Sequence, residues 1–179
     1  MAYSFAKKTP SGATVYNTDY QVGLTGANFK PDVMLVQALL NLLYFTNDGE
    51  FYTLDYACHT FEAPLDAEPL KVDGLCGPLT RSLIVSYQQR LQRITAKYPA
   101  DGRLDPVMWS GGKTLATRGG GLLNLGNSLH LSDEVHGTQR YASVAWDPEL
   151  PQELRSALAY RKNTARLYAT PGKKFTFTP

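Results

Sequence analysis

Residues 70–89 read LKVDGLCGPLTRSLIVSYQQ and join a tight turn to an amphipathic helix. Asp73-Gly74 predicts the turn, because an Asp side chain can bond the backbone ahead of it and Gly accepts a positive φ. Pro78 suits the first turn of a helix, where its missing N–H is no loss. Apolar residues then recur at helical spacing, at Leu83, Ile84, Tyr87 and Leu91. The stretch therefore predicts a turn anchored by a helix with one buried face.

The same stretch carries a family resemblance. The pattern Asp-Gly-x-x-Gly-Pro-x-Thr of residues 73–80, followed by Tyr87-Gln88, resembles the centre of the peptidoglycan-binding domain family of the three-helix type. Upstream, residues 31–44 (PDVMLVQALLNLLY) resemble the first helix of that family. Downstream, residues 100–109 (ADGRLDPVMW) resemble its second Asp-Gly turn and short final helix, with a tryptophan in the usual place. The three segments occur in the order of the family.

The resemblance covers about residues 29–115 and implies a three-helix peptidoglycan-binding-like core. Together with the local patterns outside that core, it predicts a mainly α fold with an inserted β-hairpin-like loop and a C-terminal helical extension. In this organisation residues 1–28 form an N-terminal arm with one hairpin at most, and residues 29–117 form the domain. Its insertion covers residues 45–70, where the family has only a short loop. Residues 118–179 form the extension, with a helix near residues 151–168.

Three local patterns refine this prediction after the central helix. Pro106 predicts the start of a short helix that carries Met108 and Trp109. The segment RGGG of residues 118–121 predicts a flexible joint, because glycine favours no regular structure. Residues 122–144 are predicted to be rich in loops.

The composition sets limits on partners and location. An apolar fraction of 43% and a charged fraction of 19% are ordinary for a soluble globular protein. A net charge of +2 is too small to favour a nucleic-acid partner. No apolar segment approaches the roughly 18 residues of a membrane helix, and residues 1–10 lack the apolar run of a secretory signal. We therefore expect no membrane insertion, and a place in the cell envelope if the chain binds cell wall or in the cytoplasm otherwise.

Candidate ligand-binding residues follow from the resemblance. It implies a groove between the first helix and the central turn, with backbone groups from Gly74 to Gly77 next to the ligand and Tyr87 and Trp109 nearby. Core packing is the alternative role for both rings. For Asp73 the alternative is a structural role, because an Asp in an Asp-Gly turn normally bonds its own turn.

The insertion contributes a second group of candidates, because it is unusually aromatic. Tyr52 and Tyr56 could form a wall for a sugar ring, since the faces of aromatic rings suit the apolar faces of pyranoses. The alternative, which we favour, is a small hairpin whose rings pack on one another. The aromatic set of the insertion comprises Phe51, Tyr52, Tyr56, His59 and Phe61.

Residues for catalysis are few. His130, Asp133 and His136 could supply ligands for zinc, but their spacing is not HExxH and no helix is predicted to bring both imidazoles to one face. Cys58 and Cys76 stand in no Cys/His motif, and they could be a disulfide pair or two free thiols. We therefore predict no metal, no cofactor and no enzymatic activity.

Three functions are consistent with these patterns. The first is a non-catalytic module that binds peptidoglycan or a muropeptide, as the resemblance implies. The second is a structural or interaction subunit of a larger assembly, such as a phage-tail-like or secretion machine, that keeps the fold without wall binding. The third is a cell-wall hydrolase with an unrecognised site in the C-terminal part.

Overall fold

The computed structural model describes residues 2–6, 14–95, 98–110 and 113–159. Its helices are α1 (Lys30–Asn41), which continues as a π-helical turn over Leu42–Thr46, α2 (Pro78–Ile94), α3 (Ala116–His136) and α4 (Gln152–Ala159). Its strands are β1 (Tyr3–Ala6), β2 (Thr14–Asn17), β3 (Val22–Gly23), β4 (Glu50–Tyr52), β5 (Cys58–Thr60), β6 (Arg103–Leu104), β7 (Met108–Ser110) and β8 (Lys113–Leu115). The strands pair as β1–β2, β3–β6, β4–β5 and β7–β8, all antiparallel.

The predicted fold class is wrong. The described residues form a mixed α/β structure of four helices and short antiparallel strands, and not a mainly α three-helix core. One cause lies after the second Asp-Gly turn. There, Leu104 pairs with Val22 of β3, and the chain then forms the β7–β8 hairpin. The short helix predicted from Pro106 is therefore a strand. Trp109 and Thr114, whose backbones are paired in this hairpin, are residue types that favour strands over helices.

A second correction concerns the glycine run. Residues 118–121 lie inside α3, and this helix continues through the first part of the stretch predicted to be rich in loops. Glycine weakens a helix, but the following turns bury Leu122, Leu125 and Leu129, each at most 1% exposed, against the core. Most helix stability in proteins comes from such packing, so tertiary contacts override the local preference.

The predicted helices α1 and α2 are both present. Every residue of α1 from Asp32 to Leu40 is buried, as its wide apolar surface predicts. Leu40 and Ile84 belong to one hydrophobic core, which also takes in residues from the N-terminal hairpin, the insertion, α3 and α4. The predicted helix near residues 151–168 is observed as α4, and residues 160–168 lie outside the described residues.

The two ends of the insertion lie next to each other. The Asn41 side chain donates a hydrogen bond to the Leu70 carbonyl and accepts one from the Leu70 N–H, both at 2.7 Å. Between these two residues, the β4–β5 hairpin packs on α3, and the Tyr52 N–H donates to the Ser128 hydroxyl at 2.8 Å. The predicted hairpin is therefore present, and it is fixed at its base and along one strand.

Within the described residues, no helix combines the length and the apolar character needed to cross a membrane.

Candidate functional site

The first Asp-Gly corner, residues 73–75, is held by a glutamine of α1. The Gly74 N–H donates to Gln37 Oε1 at 3.0 Å, and Gln37 Nε2 donates to Asp73 Oδ1 at 3.2 Å and to the Leu75 carbonyl at 3.1 Å. Asp73 Oδ1 also accepts the Leu75 N–H at 2.9 Å, and this bond holds the pKa of the Asp73 carboxyl below its usual value. The corner is thus locked by its own carboxylate and by α1.

The second Asp-Gly corner, residues 101–103, is held by a glutamine of α2 through the same set of bonds. The Gly102 N–H donates to Gln88 Oε1 at 2.7 Å. Gln88 Nε2 donates to Asp101 Oδ1 at 3.2 Å and to the Arg103 carbonyl at 2.7 Å. The Arg103 N–H donates to Asp101 Oδ1 at 3.0 Å.

The two corners are therefore copies of one arrangement, in which a buried glutamine of a helix holds an Asp-Gly corner. Gln37 is 2% exposed and Gln88 is 4% exposed. Gly74 and Gly102 have φ of 79° and 72°, a conformation that glycine adopts without a Cβ clash. Sequence reasoning matched both glutamines to the family but assigned them no role. The signal was an apolar-Gln pair in the helix that precedes each Asp-Gly.

A groove runs along α2, the helix that lies between the two corners in the chain. Pro78, which opens α2 just after the first corner, lies towards one end, and Gly102 of the second corner also lines it. The groove has a volume of about 480 Å³. We call it the α2 groove; its lining residues are Leu24, Pro64, Pro78, Arg81, Ser82, Val85, Ser86, Gln89 and Gly102.

The lining of the α2 groove combines apolar walls with a few polar groups. Leu24 is 51% exposed, and Arg81 and Ser82 are also exposed. Behind the groove, the Tyr44 hydroxyl is buried near Ser86, and no described residue forms a hydrogen bond of normal geometry with it. Burial raises the pKa of Tyr44 to about 12, so the hydroxyl stays protonated in the physiological range.

Most groups of the central turn that were predicted to contact a ligand instead bond to other groups of the protein. Tyr87 is fully buried, its hydroxyl donates to the Gly121 carbonyl at 2.6 Å, and burial raises its pKa well above the usual value. The ring is therefore a core residue, which is the alternative role that sequence reasoning gave for it. The Gly74 N–H is taken by Gln37, and the Gly77 N–H donates to the Leu75 carbonyl at 2.9 Å. Asp73 has the structural role that sequence reasoning gave as its alternative.

Trp109 lies in strand β7, opposite Thr114. Its side chain is outside the part of the chain that the structure describes, so its predicted contact with a ligand stays a prediction.

The aromatic residues of the insertion do not form one wall. Some lie in the core and others contact α3. Phe51 and Phe61 stack at 4.3 Å between ring centroids and are buried next to Tyr87. Tyr52 is 8% exposed, and its hydroxyl lies 3.1 Å from Glu50 Oε2 and 3.3 Å from His136 Nε2. Burial and the bond to Glu50 raise the pKa of Tyr52 to about 12.

Tyr56 is 57% exposed, and its hydroxyl donates to Glu134 of α3 at 3.1 Å. Neither Tyr52 nor Tyr56 lines the α2 groove. The two rings therefore attach the insertion to α3, and the structure does not bring them together with the central turn.

The candidate zinc ligands lie on α3, where no helix was predicted. His130 Nε2 is 3.3 Å from Glu134 Oε1, and His136 Nε2 is 2.6 Å from Glu50 Oε2. Asp133 is buried and accepts bonds from the Thr138 hydroxyl and from the N–H groups of residues 140–142. Its carboxylate thus holds the turn that follows α3.

No group of three or more His, Cys, Asp and Glu side chains in the described residues could hold a metal ion. Cys58 is exposed and Cys76 is half-buried, and both are free thiols.

Comparison of the chain with protein-family models, with curated proteins and with solved structures finds no match.

Proposed function

We propose that this chain is a non-catalytic module that holds peptidoglycan or a muropeptide in the α2 groove. The observation that supports this proposal most is the pair of Asp-Gly corners, each locked by a helix glutamine, with a groove along the helix that connects them. These corners are the segments on which the family resemblance depends, and their bonding leaves the intervening face of α2 open.

The lining of the groove suits such a ligand. Muropeptides combine carboxylates, amides and hydroxyls with small apolar groups. Arg81 can bind a carboxylate through two parallel bonds, and Ser82, Ser86 and Gln89 can bond amides or hydroxyls. A volume of about 480 Å³ lies within the usual range of small-ligand sites, roughly 300–1,000 Å³.

The test is retention on purified insoluble peptidoglycan. Ser82 is exposed on α2, so Ser82→Trp should fill the groove without disturbing the core. We expect the apparent affinity for peptidoglycan to fall at least about tenfold, a loss of about 1.4 kcal/mol. Gln92→Trp places the same ring on an exposed position of α2 outside the groove and should leave retention unchanged.

Other results would favour the other two functions. If the unmodified protein is not retained, the wall-binding proposal fails and a structural subunit of a larger assembly is favoured. Release of soluble muropeptides would instead indicate a hydrolase. In that case His136→Ala and a chelator together test the site on α3, because activity that survives both changes does not depend on it.

A further inference from the structure

Among the residues that the structure describes, the Arg81 guanidinium has no partner. Arg90 donates to the Thr60 carbonyl, Arg103 to Asp105, Arg140 to the Thr46 carbonyl and Asn47, and Arg155 to the Leu150 carbonyl. In contrast, no described residue forms an ion pair or a side-chain hydrogen bond with Arg81 or with Arg93. Arg81 lines the α2 groove, whereas Arg93 lies near the end of the same helix and does not.

The walls of the groove favour a peptide over a sugar. Sugar rings are commonly held against aromatic faces, and none of the described residues that line the groove is aromatic. Its apolar surface comes instead from Leu24, Val85 and two prolines, which suit small aliphatic side chains such as that of alanine. Ser82, Ser86 and Gln89 offer donors and acceptors that can bond the backbone of an extended peptide.

We infer that the α2 groove binds the peptide part of the ligand, and that Arg81 holds a carboxylate of that peptide. The guanidinium presents a planar pair of N–H groups that matches the two oxygens of a carboxylate. The groove supplies the complementary charge, the hydrogen-bonding groups and a volume of about 480 Å³ for a few residues. This inference rests on the proposed function and names the part of the muropeptide that the same site recognises.

The experiment uses the full chain and two synthetic probes. One is a fluorescent Ala-D-Glu-Lys-D-Ala tetrapeptide with free carboxylates, and the other is the same peptide with every carboxylate amidated. Fluorescence anisotropy measures binding to the unmodified protein, to Arg81→Gln and to Arg93→Gln. Both substitutions remove one exposed positive charge from α2, so Arg93→Gln is the matched control.

We expect Arg81→Gln to weaken binding of the free-acid peptide at least about tenfold, because charge-assisted bonds to a carboxylate are among the stronger hydrogen bonds. Arg93→Gln should not change it. The amidated peptide should bind weakly and equally to all three proteins. Equal losses for the two arginine variants, or no preference for the free acid, would overturn the role of Arg81.

A competition experiment separates this inference from the proposed function. Protein bound to insoluble peptidoglycan is eluted with the tetrapeptide or with a tetramer of N-acetylglucosamine. Elution by the peptide alone is the expected result. Elution by the sugar alone would overturn the peptide assignment and leave wall binding in place. No retention at all would overturn both proposals.

Discussion

At the scale of single residues, Gly74 cannot take a side chain without strain. Its φ is 79°, and a Cβ there would lie 2.8 Å from the Lys30 carbonyl oxygen and closer still to the Lys30 side chain. Gly74→Ala should therefore lower the free energy of unfolding by about 1–3 kcal/mol, the cost of a strained backbone conformation. Urea denaturation monitored by circular dichroism measures this change.

The control for this prediction is three residues away. Gly77 has φ of −77°, and a Cβ there would meet nothing within 4 Å. Gly77→Ala should leave the urea midpoint nearly unchanged. A loss at Gly77 equal to that at Gly74 would show that neither backbone conformation nor space explains the effect.

The Asp73 carboxylate should make the free energy of unfolding fall in acid. The Leu75 N–H lowers the pKa of this group in the folded state, so the unfolded chain binds its proton more readily. The stabilisation is present above the unfolded pKa of about 3.9 and is lost as the pH falls through the folded pKa. Unfolding free energies measured from pH 7 to pH 2.5 should fall more for the unmodified protein than for Asp73→Asn. Parallel curves would contradict this account.

At the scale of elements, Gln37 fixes the first corner to α1 and Gln88 fixes the second corner to α2. Gln37→Ala would leave the buried Gly74 N–H without an acceptor, and Gln88→Ala would do the same to Gly102. Each change should cost about 1–3 kcal/mol of unfolding free energy, the penalty for a buried unpaired group. Gln92→Ala, on the exposed face of α2, should stay within about 0.5 kcal/mol in the same urea experiment.

The elements that sequence reasoning predicts well are those with local causes. Helices α1 and α2 follow from apolar spacing and from a proline at each start, and the corners follow from Asp-Gly. Helix α3 could not be predicted in this way, because its first turns are rich in glycine and its stability depends on distant partners. The β3–β6 pair likewise joins Val22 to Leu104, two segments far apart in the chain.

The candidate site can also be divided into parts with local causes and parts that depend on distant segments. The first corner could be predicted, because Asp73 and Gly74 act within one turn. The α2 groove could not, because Leu24, Pro64 and Gly102 meet there from three separate segments. For Tyr87 the sequence leaves two roles open, because an aromatic ring suits both a ligand and a core, and only burial distinguishes them.

At the scale of the whole molecule, the core unites parts that the predicted organisation separates. The division into residues 1–28, 29–117 and 118–179 stays a prediction. However, one hydrophobic core includes Tyr16 before the predicted domain and Leu125 and Leu158 after it.

A fragment of residues 29–117 should therefore lack a cooperative unfolding transition. A fragment of residues 1–159, which retains the described core, should keep one. Urea titration of both fragments makes the comparison. A sharp transition in the shorter fragment would show that its share of the core is sufficient for folding.

The bonds between Asn41 and Leu70 bring the two ends of the insertion to a single point on the body of the protein. The entropy of closing a loop rises only with the logarithm of its length, so extra residues at the exposed hairpin tip would add little to the cost of folding. The scaffold can therefore accommodate new sequence at that tip while the corners and the groove stay where they are. This makes Leu54, which is 74% exposed and precedes the Tyr56 contact with α3, a natural position for inserting an epitope or a reporter.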